Sequence, residues 1–397
     1  MRQNIRADDN PSRKIPSELC LMLACTCCDT TKTEKLLMQP INWNLLIQLA
    51  VYHRVHPMVY KTLNQLSNPT APEHVLDFLR QKYQENALNA LSMTGETVNL
   101  VKCLEKHGVC AVVLKGMPLA WYLYGDIAIR PSRDIDILVT PDKIKTVQDI
   151  LKSEGYRTIL PEHNLTARQL QILLKSDHGR HFGYRHSKKN IFVELHWKLG
   201  HALSMPVERN IKKIEVPGGL LPVLADEEWL LYLILHGADH AWFRLRWLVD
   251  IVKFIQRGDT DWKKVEIMAE YAGMQSFLHQ GLLLANRLLA VPLPPYFQSI
   301  LPHDRTAWKL ACMAMDLCLA TADTEIKGSD DKNIKRWRKI YDAQLRTGWR
   351  KKLNYVLHYF RPHINDIKLI TLPDSLYALY YFIRPFTWMG RRLRKSV

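Results

Sequence analysis

Ser132-Arg133-Asp134-Ile135-Asp136-Ile137-Leu138-Val139 places two carboxylates two positions apart inside an apolar run. Apolar side chains at 135, 137, 138 and 139 predict a buried strand, and at a period of two Asp134 and Asp136 share one face of it. Their backbones are then about 7 Å apart, and the side chains can splay around one or two divalent cations, the arrangement that clamps attacking and leaving oxygens in phosphoryl-type transfer. The plainer reading is a strand end with two solvated aspartates. The D-x-D pattern alone does not separate the two.

The flanking segments favour the first. Val109-Cys110-Ala111-Val112-Val113-Leu114 is an apolar run into Lys115-Gly116-Met117, followed by Pro118-Leu119-Ala120-Trp121-Tyr122-Leu123-Tyr124. This predicts a strand, a glycine turn and a helix opened by proline. Gly116 lets the backbone approach a ligand, the N–H groups of the new helix end attract anions, and Lys115 adds a point charge for phosphate. Downstream, Asn190-Ile191-Phe192-Val193-Glu194-Leu195-His196-Trp197 predicts a second buried strand, on which Glu194 supplies a third carboxylate.

Taken together, Leu114-Lys115-Gly116, Arg130, Asp134-Ile135-Asp136-Ile137-Leu138-Val139 and Glu194-Leu195-His196-Trp197 resemble the uncharacterised bacterial nucleotidyltransferase family of the polymerase-β-like superfamily. The resemblance extends to Trp43 through Leu63 and Leu224 through Ile255, and so covers most of residues 17–260. It implies an α+β fold: a small mixed-sheet polymerase-β-like nucleotidyltransferase core flanked by N-terminal and C-terminal helical regions. It further implies that Asp134, Asp136 and Glu194 are the catalytic, metal-binding carboxylates for Mg²⁺ or Mn²⁺, and that Lys115-Gly116 begins the loop that meets the phosphates of an NTP. Arg130 is expected to neutralise phosphate charge or brace the aspartates. One position departs from the superfamily pattern: Met117 stands where Ser or Gly usually follows the glycine.

Composition sets wider bounds. A chain of 397 residues, 47% hydrophobic and 24% charged, is long enough for two or three domains of ordinary globular type. A formal net charge of +16 predicts attraction to polyanions: nucleic acid, nucleotide phosphates or anionic lipid. Excess Lys and Arg also serves solubility alone. Met1 to Lys14 is polar with no apolar core of a secretory signal, and no uncharged apolar run reaches the ~18 residues that span a bilayer, so the expected location is cytoplasmic. The eight cysteines are then expected to be reduced. Cys25, Cys27 and Cys28 lack a companion pair at zinc spacing and suit core packing better than metal.

In chain order, residues 1–16 read as a disordered arm and 17–107 as a helical region, ending in a proline-free helix from Glu73 to about Lys106. Residues 108–223 form the catalytic α/β domain. Within it, Thr140-Pro141 should cap and start a helix to Glu154, Tyr156–Leu160 a third strand, and Thr166–Ser176 a polar helix. A loop from Asp177 to Gly183, carrying His178, Arg180 and His181, could sit over the site, and Phe182–His186 should pair with Ile191–His196 as a hairpin. Residues 224–397 form a helical domain opened by Asp226 as N-cap and broken at Pro292–Pro302 and Gly328–Asp331. In it, His236 and His240 stand at metal-ligand spacing but without the glutamate of a zincin, so a packed pair is the better reading. Trp242, Trp247 and Trp262 read as core. At the end, Leu376, Tyr377, Leu379 to Phe382, Phe386 and Trp388 precede Arg391-Arg392-Leu393-Arg394-Lys395, which suits peripheral contact with an anionic membrane surface. The plainer alternative is a terminal helix packed on the domain, with a solvated basic tail.

The resulting expectation is a metal-dependent nucleotidyltransferase that moves NMP from an NTP to an acceptor hydroxyl. The acceptor is open: nucleic acid, protein, sugar or small molecule. A glycosyltransferase using D-x-D for a sugar nucleotide is a weaker alternative, because such folds place several strand–helix units before the motif. A non-catalytic nucleotide- or nucleic-acid-binding module on the same fold is another. A scaffold has no need of three costly acids.

Overall fold

The D-x-D stretch forms an interior strand, next to one edge, of a mixed five-stranded sheet, in a computed structural model. The structure describes residues 15–66, 71–159, 180–200, 210–320, 332–345 and 372–393, with Thr166, 169–171, Leu174, Asp366 and 369–370 besides. Most of the N-terminal arm, Pro69, most of Thr166–Ser176, His178, the Gly328–Asp331 break and the Arg394-Lys395 pair lie outside the described residues.

Four helices open the chain: α1 (Ser17–Thr26), α2 (Thr30–Leu37), α3 (Trp43–Tyr52) and α4 (His56–Asn64). They are followed by α5 (Glu73–Lys106), whose ends fall where the sequence predicts them. At 34 residues α5 is about 50 Å long. It grips the loop before the D-x-D strand, because Asn89 Nδ2 donates to Ser132 O at 3.1 Å and Asn86 to Ala128 O.

Next come β1 (Val112–Val113), α6 (Met117–Tyr124), β2 (Asp134–Leu138), α7 (Ile144–Ser153), β3 (Tyr156–Thr158), β4 (His181–His186) and β5 (Phe192–His196). β1 runs antiparallel to β2, whereas β5 lies parallel to β2 with Asp134 opposite Phe192 and Asp136 opposite Glu194. Parallel neighbours need a crossover. Here α7 supplies part of it, burying Ile144, Val147, Ile150 and Leu151 at helical spacing. β3 and β4 then return antiparallel, and β4 pairs antiparallel with β5 as the predicted hairpin. Thr140 does not cap α7. A single 3-10 turn, Pro141–Lys143, precedes the helix, and no side-chain cap bond forms.

A second sheet, absent from the sequence reading, is the hairpin of β6 (Ile211–Val216) and β7 (Gly219–Leu224), turned at Gly218 with φ 98°. The helices α8 (Asp226–Asp239), α9 (Leu245–Arg257), α10 (Trp262–Tyr271), α11 (Gln275–Leu289), α12 (Arg305–Ala320), α13 (Lys332–Leu345) and α14 (Tyr380–Leu393) complete the described chain. Asp226 is not the N-cap of α8; Ala225 holds that position. The Asp226 carboxylate is taken instead by Tyr122 Oη and by Lys212 Nζ at 2.6 Å, partners far off in sequence that outcompete the local backbone.

The largest apolar core joins α1–α4 to the C-terminal helices through Val112, Leu114, Leu119 and Leu138. A second core fills the space between the sheet, the C-terminal half of α5 and α7. Trp242 and Trp247 are buried and Trp262 packs at the edge, as expected of core. Of the crowded cysteines only Cys25 is buried, while Cys28 is exposed. No disulfide joins any of the eight cysteines, all of which are described. Among the described residues no helix is long and apolar enough to cross a membrane.

Candidate active site

Strand alternation and the in-register parallel pairing bring three carboxylates to one place. Asp134 and Asp136 leave the same face of β2, and Glu194 leaves the facing position of β5. One oxygen from each lies within 4.8 Å of the others, a spacing that a cation of the Mg²⁺ or Mn²⁺ class can bridge. Asp136 is fully buried, whereas the side chains of Asp134 and Glu194 are 30% and 32% exposed. The inner carboxylate is thus fixed and the outer two face the solvent side.

Two cationic side chains stand among the acids. Lys115, buried at the end of the strand run, bonds Asp134 Oδ1 at 3.2 Å and also Asp136 Oδ2. Burial alone would lower the lysine pKa, but Asp134, Asp136 and Glu194 raise it above the usual value, so it stays charged. His196 Nε2 lies 3.1 Å from Asp136 Oδ1 and 3.3 Å from Glu194 Oε2. Burial opposes its protonation, yet the bonds to those two carboxylates raise its pKa. Glu194 moves the other way: burial pushes it up, and the His196 bond with the charges of His181 and Lys115 brings it down to about 2.

Gly116 adopts φ 86°, a region that other residues avoid, and a Cβ there would meet Ser132 Oγ at 3.4 Å and Asp134 O at 3.7 Å. The turn therefore lies directly against the D-x-D strand and aims the N-terminus of α6 beside it, with Met117 as its first residue. Below, Trp229 of α8 donates to Leu114 O at 2.6 Å and stacks on Tyr122, which ties the helical region to the end of β1. Tyr232 of the same helix is buried, and its hydroxyl pKa is pushed well above the usual value by burial and then by Asp136 and Glu194.

The structure brings together Lys115, Gly116, Asp134, Asp136 and Glu194. It places Lys115 inside the carboxylate cluster rather than on an open phosphate loop. Arg130 does not brace the aspartates: it is 1% exposed, and its Nε bonds Asp250 Oδ1 at 3.0 Å and Oδ2 at 2.9 Å. His236 and His240 are a packed pair, His240 stacked on Trp247 of α9 and His236 edge-on to it, and burial pushes His236 well below its usual pKa.

Sequence reasoning assigned no role to His196, although its spacing of two from Glu194 on a strand was the signal that both face the same way. His181 is opposite His196 across β4 and β5, with its Nε2 3.8 Å from Glu194 Oε1. His181, Glu194 and His196 thus form a second group of donors within 4.8 Å that shares Glu194 with the first.

No curated protein matches the chain significantly. The family model described as "Uncharacterised nucleotidyltransferase" matches residues 39–290, well over half of the chain and spanning the whole carboxylate site. The chain belongs to that nucleotidyltransferase family.

Proposed function

We propose that this protein transfers NMP from an NTP to an acceptor hydroxyl, releasing pyrophosphate. The observation that carries the reading is the convergence of Asp134, Asp136 and Glu194 from two strands in register, beside the Gly116 turn. A divalent cation held by these three residues, Mg²⁺ or Mn²⁺, supplies charge neutralisation and Lewis acidity toward phosphoryl oxygens. Asp136 anchors the cluster from its buried position, and Lys115 holds both aspartates in place. Glu194, ionised at neutral pH, offers its solvent-facing side to the incoming hydroxyl. The acceptor oxygen forms a bond to the α-phosphorus, the bond from that phosphorus to the bridging oxygen breaks, its electron pair leaves on pyrophosphate, and the hydroxyl proton passes to solvent. Such in-line displacement is governed by positioning and charge more than by covalent chemistry.

The acceptor class is nucleic acid, protein, sugar or small molecule, and mass spectrometry of cell extract incubated with protein and NTP identifies what gains a nucleotide. With α-labelled NTP and Mg²⁺ or Mn²⁺, label should enter the acceptor as pyrophosphate forms, and γ-label should not. Glu194→Gln should suppress transfer more than nucleotide binding. Transfer of γ-label, or full turnover in Glu194→Gln, would overturn the mechanism. A glycosyltransferase would instead move the sugar of a labelled sugar nucleotide, and a non-catalytic module would bind nucleotide without turnover.

A second reading concerns α14, where exposed residues favour peripheral contact with an anionic membrane surface. Leu379, which ends the 3-10 turn Asp374–Leu379 just before α14, is 42% exposed, and Phe382, Phe386 and Met389 are 73%, 71% and 54% exposed at helical spacing, forming one outward stripe. The opposite side is pinned by Arg384 and Thr387, which both bond Asp366. Arg391 and Arg392 follow the stripe in sequence and add the positive charge that anionic lipid attracts. Full-length protein should sediment with anionic vesicles at low salt, and Phe382→Glu with Phe386→Glu should abolish that. Failure of the wild type to sediment leaves the helix as a packed terminus only.

A further inference from the structure

Next to the carboxylates is a concentration of charge of the opposite sign. Arg54 stands in the turn between α3 and α4, Arg130 in the loop before β2, and Arg246 in the first turn of α9. Two hydrogen bonds lock these segments together. Leu245 N donates to His53 Nδ1 at 3.2 Å, and an Arg246 Nη1 hydrogen goes to Pro131 O. His53 can accept because burial, and next the charge of Arg244, hold its pKa down at about 3, leaving the ring neutral.

Arg130 and Arg246 are 1% and 4% exposed, and Arg54 is half-buried. Four of their nitrogens are buried without a hydrogen-bond partner among the described residues: Arg54 Nε, Arg130 Nη1 and Nη2, and Arg246 Nε, although Arg130 Nη2 lies 2.9 Å from Asp250 Oδ2 as an ion pair. Among the described residues the one carboxylate bonded within the group is Asp250, which takes Arg130. Buried charges are ordinarily paired and buried donors ordinarily bonded, so unpaired guanidinium surplus at three sites is costly. Burial and then the like charges of Arg130 and Arg54 push Arg246 well below the usual arginine pKa. Arg54 is brought down to about 9 by burial and by Arg244, Arg133 and Arg130. Arg130 and Pro131, whose carbonyl Arg246 bonds, lie four and three residues before Asp134, so the cluster adjoins the carboxylate site through that loop, and Asp134 opposes the downward shift of both Arg246 and Arg54. Arg54 also holds φ 57°, a conformation unfavourable for a residue with a long side chain.

Bracing explains only part of this. Arg246 Nη1 supports the loop and Arg130 anchors to Asp250, but neither bond uses the unpartnered donors or accounts for Arg54. A planar fork of N–H groups suits terminal phosphate oxygens. We propose that Arg54, Arg130 and Arg246 form the polyphosphate end of the active site, receiving the β- and γ-phosphates of the nucleoside triphosphate and then the pyrophosphate product. The inference rests on the transferase reading in that the substrate is a triphosphate. Asp134, between the two clusters, is where the α-phosphate end would meet the polyphosphate end.

The test is binding of inorganic pyrophosphate to the full chain at low salt with Mg²⁺ present, by calorimetry and thermal shift. Wild type should bind it and melt higher. Arg54→Met should weaken binding tenfold or more, while the ligand-free variant melts no lower than wild type because repulsion has been relieved. The exposed Arg305→Met should bind as wild type does. A non-hydrolysable NTP should compete with pyrophosphate; independent binding would place the cluster on a phosphorylated acceptor and overturn the assignment. No binding in the wild type, or equal binding in Arg54→Met, overturns it as well. Arginine-dependent pyrophosphate binding without transfer of α-label would unseat the transferase reading and leave the anion site. Label transfer with binding unchanged in Arg54→Met would do the reverse.

Discussion

The carboxylate cluster and the arginine cluster adjoin, and both bury charge, yet they are unbalanced in opposite directions. In the first, three acids face Lys115 and His196; in the second, Arg130, Arg246 and Arg54 face Asp250. A purely structural ion pair elsewhere in the chain is balanced: Arg384 meets Asp366, with Thr387 completing the acceptor oxygens. Surplus charge costs stability in a folded protein, because burial raises the penalty of each unpaired group. One surplus of each sign side by side is the arrangement that the proposed metal–polyphosphate complex would need, the cation completing one cluster and the phosphates the other.

The comparison breaks first at Asp136. Asp136→Asn relieves repulsion among three acids but also removes the buried charge that Lys115 and His196 bond, so the fold should survive with a lowered melting temperature. Turnover should fall by roughly three orders of magnitude, about 4 kcal/mol of transition-state stabilisation. Melting and label transfer measured on the same sample decide it. An active Asp136→Asn protein means that the cluster is not the reaction centre.

Asp250→Asn should lower stability as well. It deletes the carboxylate that Arg130 grips with Nε and Nη2 and leaves the arginine surplus uncompensated. The loss should be about 3–5 kcal/mol by denaturant unfolding, the range for breaking one partner of a buried pair. Pyrophosphate should restore part of it if the arginines take phosphate. A variant as stable as the wild type would show that Asp250 does not hold this cluster together.

How much of this was legible in the sequence follows from how far apart the partners are. Asp134, Asp136 and Glu194 could be read because alternation on a strand is local, and β2 and β5 are where it predicts. The ends of α5 were readable for the same reason: a run without proline and with good helix formers sets its own limits. Asp226 misled because its capping signal is local, while its actual partners, Tyr122 and Lys212, come from α6 and β6. Arg130 was singled out without its partner, since Asp250 lies 120 positions away. Arg54 and Arg246 carry no pattern at all. They meet only because α3, the loop before β2 and α9 pack together, and the main apolar core that packs them is assembled from both ends of the family region.

The smallest effect, and the one that sharpens what a resolved charge cluster looks like, lies at His279 in α11. Its Nδ1 is 2.7 Å from Asp304 Oδ2 and its Nε2 3.1 Å from Glu266 Oε2, with Gln275 also donating to Glu266 at 2.8 Å. Burial opposes the charged ring, but the bonds to Asp304 and Glu266 prevail and raise its pKa to about 9. A raised folded-state pKa means that the imidazolium stabilises the protein fully below the unfolded value of about 6.5 and loses that contribution as pH rises through about 9. The shift corresponds to at most about 3 kcal/mol. Stability of the wild type should therefore decline between pH 6.5 and 9 relative to His279→Gln, which keeps a donor but cannot titrate. Nucleotide transfer at fixed pH should be the same in both, since neither His279 nor its partners belong to the two surplus clusters. Parallel stability curves for the two proteins over that window would show that the histidine is neutral in the fold, and that burial outweighs two adjacent carboxylates.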